Sequence, residues 1–101
     1  MKDLIEKEIE SAIAENDKFC LYLYTPMCGT CQVASKMLQV TTELVPTLAI
    51  GKSDLNYLPK KAIEWEIESV PCLLIFEKVQ IDKKIYAFHS VPYLLDLLSN
   101  Q

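Results

Sequence analysis

The chain has 101 residues, 50% of them hydrophobic and 24% charged, with ten basic against fourteen acidic side chains and a formal net charge of −4. This is enough apolar material to bury a core without metal or disulfide staples. The basic residues are scattered, which excludes a nucleic-acid or anionic-membrane partner, and no stretch approaches the ~20 apolar residues of a membrane span.

Leu4, Ile5, Ile9, Ala12 and Ile13 share one stripe at helical spacing, so roughly residues 2 to 15 are predicted as an amphipathic helix that Asn16-Asp17 ends. Glu6, Glu8, Glu10 and Glu15 interrupt this segment and exclude a secretory signal, so a reducing, cytoplasmic setting is expected. Phe19 to Tyr24 is a continuous apolar run of strand length, predicted to be buried on both faces and broken by Thr25-Pro26. A helix follows to Glu43 or Leu44, carried by Val33, Ala34, Met37, Leu38, Thr41 and Leu44. Thr47 to Ile50 is predicted as a short strand ending at Gly51, and residues 58 to 66 as a helix with Pro59 in its first turn and Asp54 or Asn56 as cap. Cys72 to Phe76 and Lys84 to Phe88 are predicted to pair as a hairpin without an Asn-Gly turn. Ser90 then caps a last helix with Pro92 in its first turn. The order αβαβαββα implies one α/β domain over residues 1–101, a layered sheet covered by helices on both faces, and a monomer is expected.

Cys28-Gly29-Thr30-Cys31 arrives directly off the first strand and opens the second helix. A thiolate at a helix start faces unpaired backbone N–H groups and the positive end of the helix dipole, which lowers its pKa. Cys28 is therefore the candidate nucleophile and Cys31, one turn inside, the candidate resolving thiol. A zinc half-site is the rival reading, but no second ligand pair exists: Cys20 and Cys72 sit in predicted strands and His89 is isolated. Cys20 and Cys72 are expected to be small core hydrophobes, Trp65 a packing residue and His89 a surface-loop residue.

From Phe19 onward the chain resembles the thioredoxin family, in the order of its elements, in the C-G-x-C motif, and in the segment Glu68-Ser69-Val70-Pro71-Cys72-Leu73-Leu74-Ile75-Phe76. The resemblance implies a thioredoxin-like fold with a central mixed four-stranded sheet. It also implies a cis Val70-Pro71 peptide packed against the thiol pair, with Val70, Pro71 and Met27 contacting substrate. Several positions depart from the family. Its buried aspartate is Tyr22, which bears on proton transfer to and from Cys31. Lys52 matches the lysine beside that aspartate and, without the anion, either leans toward a thiolate or reaches solvent. Met27 stands for a tryptophan, Thr30 for the proline of C-G-P-C, and Lys36 for a helix-kinking proline. Thr30 is expected to add a backbone donor near Cys28 and to make the couple more oxidising.

The expected function is dithiol–disulfide exchange on protein disulfides, with no bound metal or organic cofactor. By resemblance, electrons come from a low-molecular-weight thiol or from an NADPH-dependent flavoprotein of the thioredoxin reductase type. Two alternatives stand beside it: a thioredoxin-fold binding or redox-sensing domain with little turnover, and a glutathione-using, glutaredoxin-like enzyme.

Overall fold

The computed structural model describes residues 1–99. In chain order its elements are β1 (Lys2–Asp3), α1 (Glu6–Glu15), β2 (Lys18–Tyr24), α2 (Gly29–Leu44), β3 (Ile50–Asp54), a 3₁₀ turn (Leu55–Tyr57), α3 (Pro59–Glu64), β4 (Cys72–Glu77), β5 (Gln80–Ile85) and α4 (Val91–Ser99). The strands form one mixed sheet in the order β1-β3-β2-β4-β5. β1 and β2 run parallel to β3, β4 is antiparallel to β2, and β5 is antiparallel to β4.

Burial on both faces explains why β2 carries an unbroken apolar run. Phe19, Leu21 and Leu23 pack with Ile9 and Ile13 of α1 and with Leu58 and Trp65 around α3. Cys20 and Tyr22 point the other way, into Ala34 and Leu38 of α2 and Leu94 and Leu98 of α4. Trp65 is a packing residue, its ring meeting Phe76 edge-on. The parallel strands β1, β3 and β2 all end at one edge of the molecule, where α2 begins and β4 enters. That edge collects the residues of interest.

The observed elements differ from expectation in four places. The first helix starts at Glu6 rather than at residue 2, because Lys2 and Asp3 pair with Gly51 and Lys52 and the Leu4 N–H donates to the Lys52 carbonyl at 2.8 Å. The sheet therefore has five strands rather than four; a two-residue edge strand is too short to show a period.

The strand expected at 47–50 lies instead at Ile50–Asp54, with Gly51 inside it. A Cβ on Gly51 would overlap Leu4 Cδ1, so this glycine permits the close approach of the β1–α1 connection and does not end the strand. The third helix stops at Glu64, short of 66, through a Schellman cap: the Ile67 N–H donates to Ala62 O at 2.9 Å and the Glu66 N–H to Ile63 O at 3.1 Å. Glu66 takes the left-handed position, φ 53°, without the glycine that would advertise it. Pro59 opens α3 as expected, whereas Asp54 caps the 3₁₀ turn by accepting the Asn56 N–H at 2.9 Å.

The hairpin exists, but its second strand is Gln80–Ile85 rather than Lys84–Phe88. Lys78 and Val79 both have positive φ, 50° and 74°, so they make a two-residue turn in the conformation that Asn-Gly usually supplies. Strand length then ends at Ile85, and Phe88 drops into the α2–α4 side of the core. The last helix forms as expected, with Ser90 Oγ accepting the Tyr93 N–H at 3.2 Å.

Candidate functional site: the thiol pair at the start of α2

Thr25-Pro26 ends β2, and Cys28 becomes the N-cap residue of α2. An N-cap side chain ordinarily accepts an amide from the first turn. Here the acceptor is sulfur: Cys28 Sγ receives the Cys31 N–H at 3.1 Å, and the Thr30 hydroxyl lies 3.4 Å away. The donor that Thr30 brings is thus its side chain, while the amide used belongs to Cys31. The two cysteines are joined as a disulfide, with Cα atoms 5.2 Å apart. Cys28 is half-buried and Cys31 is buried, so the first sulfur is the one a macromolecule can reach.

Met27 stands fully out at the rim, 96% exposed, and Gly29 has open space where a Cβ would be. The Val70–Pro71 peptide bond is cis, and Val70 O lies 3.9 Å from Cys28 Sγ. Thr30, Pro71, Tyr86 and Phe88 line one recess beside the pair; Thr25, Cys28, Cys31, Ser35 and Lys36 line another. α2 runs unbroken through Lys36.

Tyr22 is fully buried beneath the pair. Its hydroxyl donates to the Cys31 carbonyl at 2.7 Å and accepts from Ser35 Oγ at 3.1 Å, and its ring packs edge-on against Phe88. Burial pushes the Tyr22 phenol above its ordinary value, against a smaller lowering by Ser35. Ser35 was not singled out from the sequence, although four residues after Cys31 it falls on the same helix face, and that spacing was the available signal.

Lys52 is partly exposed and has an anion beside it. It is paired laterally with Tyr22 in the sheet, but its ammonium lies 3.8 Å from Asp3 Oδ2 and sits over the Tyr24 ring. Asp3 also accepts the Tyr24 hydroxyl at 2.6 Å. The missed strand β1 supplies the anion.

Cys20 and Cys72 are buried free thiols, on opposite sides of the sheet. Burial pushes Cys20 up to about 12 and Cys72 up to about 11. In the folded, reduced protein at pH 8, iodoacetamide will therefore modify Cys28 and leave Cys20 and Cys72 unmodified until the chain is denatured, as peptide mass mapping will show. His89 is exposed in a left-handed conformation, φ 56°, with its ring edge-on to Tyr93. Among the described residues, no group of three or more His, Cys, Asp or Glu side chains is arranged to hold a metal ion, and no helix is long and apolar enough to cross a membrane.

The family model for thioredoxin matches residues 1–98. The thioredoxin-like protein YusE of Bacillus subtilis (strain 168) is 48% identical over 101 residues, covering 100% of this chain and 93% of that protein. Thioredoxin-1 of Saccharomyces cerevisiae is 30% identical over 70 residues, covering 69% of this chain and 68% of its own length. The oxidised crystal structure of mitochondrial thioredoxin 3 from Saccharomyces cerevisiae superposes with a TM-score of 0.85 at 22% identity, covering 100% of this chain and 95% of that one. With the fold, the thiol pair and these likenesses in agreement, the chain belongs to the thioredoxin family of dithiol–disulfide oxidoreductases.

Proposed function

We propose that Cys28 is the attacking thiol and Cys31 the resolving thiol in the reduction of protein disulfides. The observation that carries this assignment is the capping geometry. Cys28 Sγ already accepts the Cys31 N–H, so a negative charge placed there gains a charge-assisted hydrogen bond and the helix dipole.

The Cys28 thiolate attacks one sulfur of the substrate disulfide, and the other leaves as a thiolate. A Cys28–substrate mixed disulfide results. Cys31, deprotonated, then attacks Cys28 Sγ, the substrate leaves as its second thiolate, and the Cys28–Cys31 disulfide forms. Two electrons pass to the substrate and none to a bound group. The backbone of Val70, half-buried beside Cys28, is the edge on which a substrate strand pairs, with Pro71 and Met27 flanking it. Thr30, by adding a hydroxyl donor near Cys28, favours the thiolate and a more oxidising couple than a proline would.

The disulfide is returned to the dithiol by a low-molecular-weight thiol or by an NADPH-dependent flavoprotein reductase. The protein works in the cytoplasm as a monomeric single domain on disulfide-bonded proteins. A binding or redox-sensing domain with little turnover is not favoured, because the pair is placed for exchange, one sulfur reachable and its partner one turn behind it.

The test is reduction of insulin by dithiothreitol. Catalytic amounts of the protein are expected to hasten precipitation of the freed B chain, and an unchanged onset would refute turnover. Equilibration of the Cys28/Cys31 pair against glutathione buffers then fixes its potential and the direction of electron flow.

A further inference from the structure

β5 is the edge strand of the sheet, and Lys84 near its end and Tyr86 just beyond it both bond to the segment that follows α3. Lys84 Nζ donates to the Trp65 carbonyl at 3.0 Å and to the Glu66 carbonyl at 3.3 Å, closing the end of α3. Tyr86, two residues on, accepts the Glu68 N–H on its hydroxyl at 3.2 Å. Cys72, the first residue of β4, is buried on the far side of this segment. Glu68 opens the short segment Ser69, Val70 and Pro71 that passes Cys28, so the phenol oxygen ties the start of that segment. The Tyr86 ring stands beside Pro71 in a recess of about 390 Å³.

Apart from the Lys84 bonds before it and the Pro71 ring at its end, little stiffens this connection. Glu68 and Ser69 are exposed and Val70 and Pro71 only half-buried, so little apolar burial holds them in place. The left-handed Glu66 just before them makes the path depend on hydrogen bonds and not on an intrinsic backbone preference.

We infer that Tyr86 is a positioning residue of the redox reaction, its hydroxyl on the Glu68 N–H and its ring beside Pro71 holding Val70 and Pro71 in register with Cys28. The inference rests on the oxidoreductase reading above and deepens it by naming what fixes the substrate-pairing edge. Tyr86 does not touch the reacting sulfurs. Its effect is confined to substrates that pair along the backbone, and a small disulfide without a peptide chain does not feel it.

The experiment compares the wild-type protein with Tyr86→Phe, which keeps the ring and removes the oxygen. Two substrates are used, insulin and the small aromatic disulfide dithiobis(nitrobenzoate). The expected result is a KM for insulin raised about fivefold, the factor that one neutral hydrogen bond represents, with kcat unchanged and the rate on the small disulfide unchanged. Amide hydrogen exchange at Glu68 quickens in the same variant. Circular dichroism and the parental rate on the small disulfide show that the variant is folded.

An unchanged KM for insulin in the folded variant, with the wild type active on both disulfides, would overturn this inference alone. So would an equal loss on both substrates, which is the mark of general destabilisation. A wild-type protein inert toward both would instead overturn the oxidoreductase reading, and this inference with it.

Discussion

Cys28→Ser reduces insulin at the rate of dithiothreitol alone, whereas Cys31→Ser accumulates a one-to-one mixed disulfide with its substrate. The asymmetry follows from what each sulfur does. A serine hydroxyl at position 28 ionises far above the ~8.5 of a free thiol, so no attacking anion exists near neutral pH and the reaction never starts. At position 31 the same exchange removes only the second attack. The donor to Cys28 Sγ is the backbone N–H of residue 31, at 3.1 Å, which serine retains, so the Cys28 thiolate keeps its stabilisation and still forms the first bond. With no thiol one turn behind it, that bond persists. Non-reducing electrophoresis and intact mass will show the adduct in Cys31→Ser and none in Cys28→Ser. Equal loss in both variants without an adduct would remove the division of labour between the two sulfurs.

The position of this pair was legible because two local signals coincide, a strand-length apolar run that Thr25-Pro26 breaks and an amphipathic period that begins just after it. Together they place Cys28 at an N-cap, and the N-cap is where it lies. What was not legible depends on contacts distant in sequence or on backbone conformations that carry no residue signature. β1 is defined by pairing with a strand almost fifty positions away, and two residues have no period to detect. Missing it hid Asp3, and with Asp3 the partner of Lys52. The cap beyond α3, at Glu66, and the turn at Lys78-Val79 use positive φ without glycine or asparagine, so the usual punctuation was missing and both boundaries moved. Tyr22 was singled out for what it replaces. That its hydroxyl ends on the Cys31 carbonyl, with Ser35 behind it, required the packing of β2 against α2.

That packing sets the second large effect, on the step in which Cys31 must lose its proton. The Tyr22 hydroxyl is turned toward the Cys31 carbonyl and donates to it, and burial raises a phenol that already ionises near ~10 when unperturbed, so at neutral pH it takes no proton from the thiol. Resolution of the mixed disulfide is accordingly expected to be the slow step. Tyr22→Asp places a carboxylate in the core beneath Cys31, and a positioned base is worth roughly a hundredfold or more where geometry allows; release of substrate is expected to quicken by at least about tenfold. The cost falls on stability. The ring lost from between Tyr24 and Phe88 leaves a void, at about 3–5 kcal/mol for a large aromatic, in a fold whose total stability is of the order of 5–15 kcal/mol. Burial also raises the new carboxyl above its unfolded value, so its neutral form suits the folded state. The variant is therefore least destabilised below pH ~4 and loses stability as pH rises through the raised value, the same ionisation that turns on the base. Tyr22→Phe is the control, keeping the ring without the oxygen, and is expected to resolve at the parental rate. Single-turnover kinetics on the preformed mixed disulfide, with circular dichroism to verify folding, measure the step directly. A folded Tyr22→Asp protein that releases substrate no faster than the parent would show that deprotonation of Cys31 does not limit the reaction.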